Sequence, residues 1–163
     1  MKNRQKFILG AVGLLFVVIC CVIYQNQQQK NDDYSYELLR VKASLEQIAQ
    51  YSENCIEAIL SGADDVEKHG YLLQAVSTLD SATSKIALLH NEGRLSRDIL
   101  ELSDHLNGTY PHLSNDTKIY WLNCIKDASE GFLSTLEKNP TISVHDFRIA
   151  VHDFSSKLPT YED

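Results

Sequence analysis

The sequence predicts an all-α protein: an N-terminal transmembrane helix followed by an extracytoplasmic up-and-down bundle of four to five helices. Three observations carry this expectation. Phe7 to Tyr24 form a run of 18 residues without charge, amide or proline. At about 1.5 Å per residue that run reaches roughly 27 Å, close to the roughly 30 Å of a bilayer core. Beyond it, apolar residues recur at spacings of three and four, the period of helices that bury one face. No stretch alternates in the way a half-buried strand does.

The boundaries follow from composition. Residues 1–6 are a basic tail, 7–24 the transmembrane signal anchor, 25–32 a polar stalk and 33–163 the bundle; Asn31, Asp32 and Asp33 are N-cap residue types at which a new helix would start, although the glutamines also allow one helix to continue straight out of the membrane. Lys2, Arg4 and Lys6 precede the apolar run, whereas Lys30 is offset by Asp32 and Asp33 after it. The positive-inside rule then puts the N-terminus in the cytoplasm and the rest of the chain outside, with Tyr24 at headgroup level and membrane lipid as the partner of residues 7–24. Cleavage after a signal peptide calls for small residues, but Ile19, Cys20, Cys21, Val22, Ile23 and Tyr24 are mostly bulky. Ile19 before Cys20 is equally unlike a lipoprotein signal. Gly10 and Gly13 lie three apart rather than four, so they do not form the small-residue motif that pairs membrane helices.

The residues after Tyr24 number 139, enough for one packed core and too few for two. All 22 carboxylates lie there against 12 of the 15 basic side chains, a formal charge of −10. That balance disfavours nucleic acid and anionic membrane surface as partners, since both call for basic patches.

Within the bundle, a first helix is predicted from about Asp33 to Ser61, with Leu38, Val41, Leu45, Ile48, Ser52, Cys55 and Ile59 in line. Lys42, Glu46, Gln50, Glu53 and Glu57 occupy its opposite face, and Gly62 is placed to stop it. The second helix has Asp64 or Asp65 as cap and Leu72, Val76, Leu79, Thr83, Ile86 and His90 on one face, ending between Asn91 and Gly93. A shorter third helix aligns Leu95, Ile99, Leu102 and Leu106 before Asn107-Gly108. The segment NGTYPHLSND reads as a loop. A fourth helix from about Asp116 to Lys138 puts Trp121, Leu122, Ile125, Ala128, Phe132, Leu133 and Leu136 on one half, and Asn139-Pro140 ends it. The last, Ser143 to Leu158, opens with Ser143 as N-cap and Asp146 three residues on. Its core face is Val144, Phe147, Val151, Phe154 and Leu158.

Five features are candidates for chemistry or recognition. The repeated VHDF at 144–147 and 151–154 invites comparison with metal phosphohydrolases built on a His-Asp dyad. Seven residues span about 10.5 Å of helix, too far for His145 and His152 to ligate one ion. His105 and His112, beside Asp104 and Asp116, are a weak candidate metal pair whose spacing matches no strong metal pattern. Cys55 and Cys124 both lie toward apolar faces and are a candidate disulfide in an exported domain, with two buried free thiols as the alternative. Asn107 and Asn115 open N-x-[ST] triplets in the predicted loop and are candidate glycosylation sites. The loop itself, with Tyr110, Pro111, His112 and Leu113 expected to be exposed, is the candidate partner-binding segment.

No nucleophile-elbow, P-loop, His-Glu-x-x-His, Cys-x-x-Cys or dinucleotide fingerprint is present. No cofactor is expected, and a non-enzymatic role is favoured. The expectation is a single-pass membrane-anchored helical module that binds another protein or itself. A helical bundle directly after a first span resembles, in architecture, the sensory half of bacterial receptors, but no second span or signalling domain follows here. Two alternatives stand beside it: a small metal-dependent hydrolase using the bundle and loop histidines, and a secreted effector released by cleavage near residue 24.

Overall fold

The computed structural model describes the backbone of residues 2–92, 95 and 97–159, and side chains from residue 15 onward apart from residue 98. Among these residues the protein is all-α. The helices are α1 (Lys2–Leu60), α2 (Val66–Leu89), α3 (Arg97–Gly108), α4 (Asn115–Lys138) and α5 (Val144–Ser155), with a single 3-10 turn at Tyr110–His112 before α4.

The chain divides into two compact units, Met1–Tyr36 and Glu37–Asp163. In the first unit α1 is uninterrupted, so the stalk at 25–32 continues the helix, the alternative that its glutamines allowed. The physical reason is composition: Gln and Lys are good helix formers and the stretch holds no Gly or Pro. The Ser35 hydroxyl donates to the Asn31 carbonyl one turn back, 2.9 Å away, which absorbs the polar side chain into the helix. From Leu15 to Tyr24 every described side chain is exposed, including Phe16 at 68% and Val17 at 59%. Among the described residues no helix is long and apolar enough to cross a membrane. The predicted span over 7–24 falls in part outside them, because the side chains of residues 7–14 are not described.

The second unit is a helical bundle whose core follows the predicted stripes except at Ile59, His90, Leu95, Leu133, Val144 and Leu158, which are half-buried. Along α1 the residues Leu38, Val41, Leu45, Ile48, Ser52 and Cys55 are all buried. Across from them lie Leu72, Val76, Leu79, Thr83 and Ile86 of α2, and Trp121, Leu122, Ile125, Phe132 and Leu136 of α4. Two contacts fix the register of α1 against α2. Glu37 Oε1 lies 3.4 Å from Lys85 Nζ, and the ring of Tyr51 stacks on Tyr71 at 5.4 Å. Residue numbers rise by fourteen on one helix as they fall by fourteen on the other, so the pair is antiparallel and neither helix slips. Glu53 and Lys126, 3.1 Å apart, tie α1 to α4. Phe132 of α4 packs between Phe147 and Phe154 of α5 with ring centroids 5.8 and 5.7 Å away.

The helix ends obey local chemistry. After α1, Gly62 takes φ +71°, its N–H donates to the Ile59 carbonyl at 3.1 Å, and Ala63 N–H reaches Ala58 at 2.9 Å. This is the paired closure of a left-handed helix cap. Asn91, at φ 51°, closes α2 in the same way, with Asn91 N–H on Leu88 and Glu92 N–H on Ala87. Ser143 caps α5 as predicted, accepting from Asp146 N–H at 3.1 Å while its hydroxyl meets Asp146 Oδ2 at 2.7 Å. Helix α4 starts one residue earlier than expected because Ser114 caps it, accepting from Thr117 N–H. Helix α5 stops at Ser155, and Lys157 and Leu158 follow in turns that bond back to Phe154 and Ser155.

Candidate functional site

The predicted loop corrects one expectation. Tyr110 is not an exposed recognition residue; it is 1% exposed and among the largest fully buried side chains of the bundle. The turn that carries it is short and hydrogen-bonded, with His112 N–H on the Thr109 carbonyl and Leu113 N–H on Tyr110. Pro111 sets the backbone of that turn. Tyr110 therefore points inward while Pro111 and His112 stay exposed and Leu113 is half-buried.

Four side chains from three helix ends converge on this ring. The Tyr110 hydroxyl donates to Asp65 Oδ2 at 2.8 Å, joining the 3-10 turn to the residue that precedes α2. His69, one turn into α2, stacks flat on the Tyr110 ring with centroids 4.4 Å apart and planes 5° from parallel. Lys118, in the first turn of α4, holds its ammonium 5.1 Å from the ring centroid, a cation–π distance. Cys55, near the end of α1, is fully buried in the same region, close enough to Tyr110 for their charges to be felt.

Asp65 occupies the N-cap position of α2 but makes no side-chain cap bond. Its carboxylate is committed to Tyr110, and Asp64 Oδ1 takes over the capping by accepting from Val66 N–H at 3.1 Å. Of the two aspartates predicted as alternative caps, Asp64 therefore makes the capping bond while Asp65 holds Tyr110.

The electrostatics of the cluster favour neutral groups. Burial, with the Asp65 charge adding, pushes the Cys55 thiol up from 9.0 to about 12. Burial and the bond to Asp65 also raise the Tyr110 phenol well above its ordinary value of 10.0. Burial lowers the His69 imidazole below 6.5, opposed by a hydrogen bond to the Leu106 main chain and by Asp65. These directions are the reverse of those that activate a thiolate nucleophile, which needs a depressed pKa. The arrangement is suited to holding the end of the bundle closed.

The other predicted residues are spread apart. His105 packs edge-on against Trp121, 6.3 Å between centroids, whereas His112 faces solvent. His145 and His152 are exposed on α5. Among the described residues no group of three or more His, Cys, Asp or Glu side chains is placed to hold a metal ion. Cys55 is buried, Cys124 half-buried, and both are free thiols. Asn107 and Asn115 are both exposed, the first near the end of α3 and the second at the start of α4. Thr117 of the second triplet shares its hydroxyl with Ser114 at 2.8 Å.

Asp65 as an acceptor, His69 and Lys118 were not legible as site residues. The only sequence signal was Tyr110 itself, a large aromatic beside Pro111 in an otherwise polar loop. No protein-family profile matches the chain, and no curated protein or solved structure shows significant similarity to it.

Proposed function

We propose that the chain is a single-pass membrane-anchored module, N-terminus cytoplasmic, whose extracytoplasmic helical bundle binds another protein or a second copy. One observation carries the anchoring. Ten consecutive side chains from Leu15 to Tyr24 are exposed around the whole circumference of α1, and none of them is charged. Apolar surface buried by nothing in its own chain costs about 25 cal/mol per Å² in water. An all-round apolar helix suits lipid rather than a single protein groove, which would leave one side polar. Together with residues 7–14 of the sequence it completes the apolar run of spanning length.

Binding rather than catalysis is the role assigned to the bundle. The convergent titratable cluster favours neutral, closed groups, and exposed apolar side chains lie elsewhere on the surface. Leu39, Tyr120 and Ile149 are 65%, 50% and 54% exposed, and with Pro111, His112 and Leu113 they are the residues to probe for contact with a partner.

Fractionation tests the anchor. The full-length chain is expected in the membrane pellet after alkaline carbonate washing and in solution only with detergent. Protease added outside intact cells or spheroplasts should digest the bundle and spare an N-terminal tag. Recovery of the chain in the carbonate supernatant would overturn the anchor, and protection of the bundle would reverse the orientation.

A further inference from the structure

The bundle end contains a competition for one carboxylate. Asp65 accepts from the Tyr110 hydroxyl at 2.8 Å, and His69 stands four residues after Asp65 on the same helix face. The His69 ring lies flat against Tyr110 at 4.4 Å. Its Nδ1 is buried, and among the described residues no hydrogen-bond partner reaches it. An unpartnered ring nitrogen can serve as an acceptor while the imidazole is neutral, but once protonated it becomes a donor with a full charge to satisfy.

We propose that His69 is an acid-sensitive latch: a solvent proton taken up at Nδ1 lets His69 claim the Asp65 carboxylate from Tyr110 and frees the 109–114 segment from the bundle end. The exchange follows from relative bond strength, since a charge-assisted imidazolium–carboxylate bond outweighs a hydroxyl–carboxylate bond. Tyr110 is then left with a buried hydroxyl that has lost its acceptor, which is costly. The stack is also altered, because Lys118 already places one cation near the Tyr110 ring and His69 would add a second.

The surrounding charges set the balance. From α2 itself come Asp65 and Lys68, from α4 Lys118, from α1 the neutral thiol of Cys55, and from the 3-10 turn Tyr110. The end of α3 contributes the Leu106 main chain, with His105 beside it in sequence. Burial keeps the imidazole neutral at neutral pH and dominates the opposing effects of Asp65 and Leu106, so the latch is closed there and opens under acid. Opening would uncover Tyr110 together with Pro111 and Leu113. The latch rests on the geometry of the bundle alone and is independent of the membrane anchor.

Hydrogen exchange on the full-length chain in detergent micelles tests it. The His112 and Leu113 amides, which donate to Thr109 and Tyr110, report on the turn. After correction for intrinsic rates, they are expected to exchange several-fold faster at about pH 5 than at about pH 7.5, a window that histidine titration spans. His69→Phe keeps a flat ring on Tyr110 and removes the proton site, so it should abolish the difference. If that variant does not fold, the wild-type protein decides through nuclear magnetic resonance: the His69 ring and Tyr110 ring signals should titrate together. Equal protection at both pH values, an unchanged difference in His69→Phe, or a Tyr110 ring that ignores His69 titration would each overturn the latch.

Discussion

Tyr110 and Asp65, 45 positions apart in sequence, meet through a hydrogen bond of 2.8 Å that closes one end of the bundle. The phenol is buried and its acceptor is a half-buried carboxylate. Tyr110→Phe removes the bond and keeps the ring, so it should lower stability by about 1.5–2 kcal/mol, the lower part of the range for hydrogen bonds to charged groups. Tyr110→Ala also removes the ring from between His69 and Lys118 and should cost about 3–5 kcal/mol. Urea midpoints of the two variants check the order: a Phe variant as damaged as the Ala variant would mean that the hydroxyl, not the ring, dominates.

The same cluster gives the bundle a pH window. His69 has a folded pKa below its ordinary 6.5, so the folded state binds fewer protons than the unfolded one near that pH. Its contribution is fully present above about 6.5 and is lost as pH falls through the folded value. Cys55 behaves oppositely, raised from 9.0 to about 12. Its contribution is complete below 9.0 and is lost as pH rises from there toward 12. Tyr110, also raised, reinforces the alkaline limb above 10.0. Stability measured by denaturant titration should therefore plateau between about pH 6.5 and 9 and fall on both sides. His69→Gln should flatten the acid limb and Cys55→Ala the first part of the alkaline one.

The two bundle cysteines should differ sharply in reactivity. Cys55 is fully buried and its thiol is held protonated, whereas Cys124 is half-buried. The thiolate is the reacting species. Iodoacetamide at neutral pH should label Cys124 first and Cys55 only once the protein unfolds. The intact mass should be the same with and without reductant, as two free thiols require. A gain of two hydrogens on reduction, mapped to the peptides of Cys55 and Cys124 rather than to Cys20 and Cys21, would instead show that the bundle cysteines pair, and would place α1 and α4 closer at that level than the Glu53–Lys126 contact alone demands.

How much of this was legible follows from the kind of signal each feature leaves. The stripe Leu38, Val41, Leu45, Ile48, Ser52, Cys55 and Ile59 was readable because helix burial is periodic, and every member is buried except Ile59, half-buried in the last turn of α1. The stops at Gly62 and Asn91 and the cap at Ser143 were readable because each is a local rule linking residue type to backbone geometry. Of the two readings of residues 25–33, a new cap at Asn31 to Asp33 or one helix carried on by the glutamines, the second holds, because Asn and Asp signal a cap only when the chain has reason to leave the helix. Tyr110 was misread for a deeper reason. A three-residue turn has no period from which to tell inside from outside, and its partner Asp65 looked like a simple cap.

The two left-handed caps offer a matched pair of tests. Gly62 sits at φ +71° with open space where a Cβ would be, so Gly62→Ala meets no neighbour and pays only the backbone cost. That cost for an L-residue in the left-handed region is about 1–2 kcal/mol. Asn91 occupies the equivalent position after α2 at φ 51°, where Asn is tolerated but Gly is better suited. Asn91→Gly should then be neutral or stabilising by up to about 1 kcal/mol, the glycine's relief of backbone strain being partly offset by its freer unfolded chain. Thermal unfolding of the two single variants and of the double variant checks this. The caps end different helices, so the effects should add to within about 0.5 kcal/mol. A destabilised Asn91→Gly would mean that the Asn91 side chain, rather than its backbone conformation, secures the end of α2.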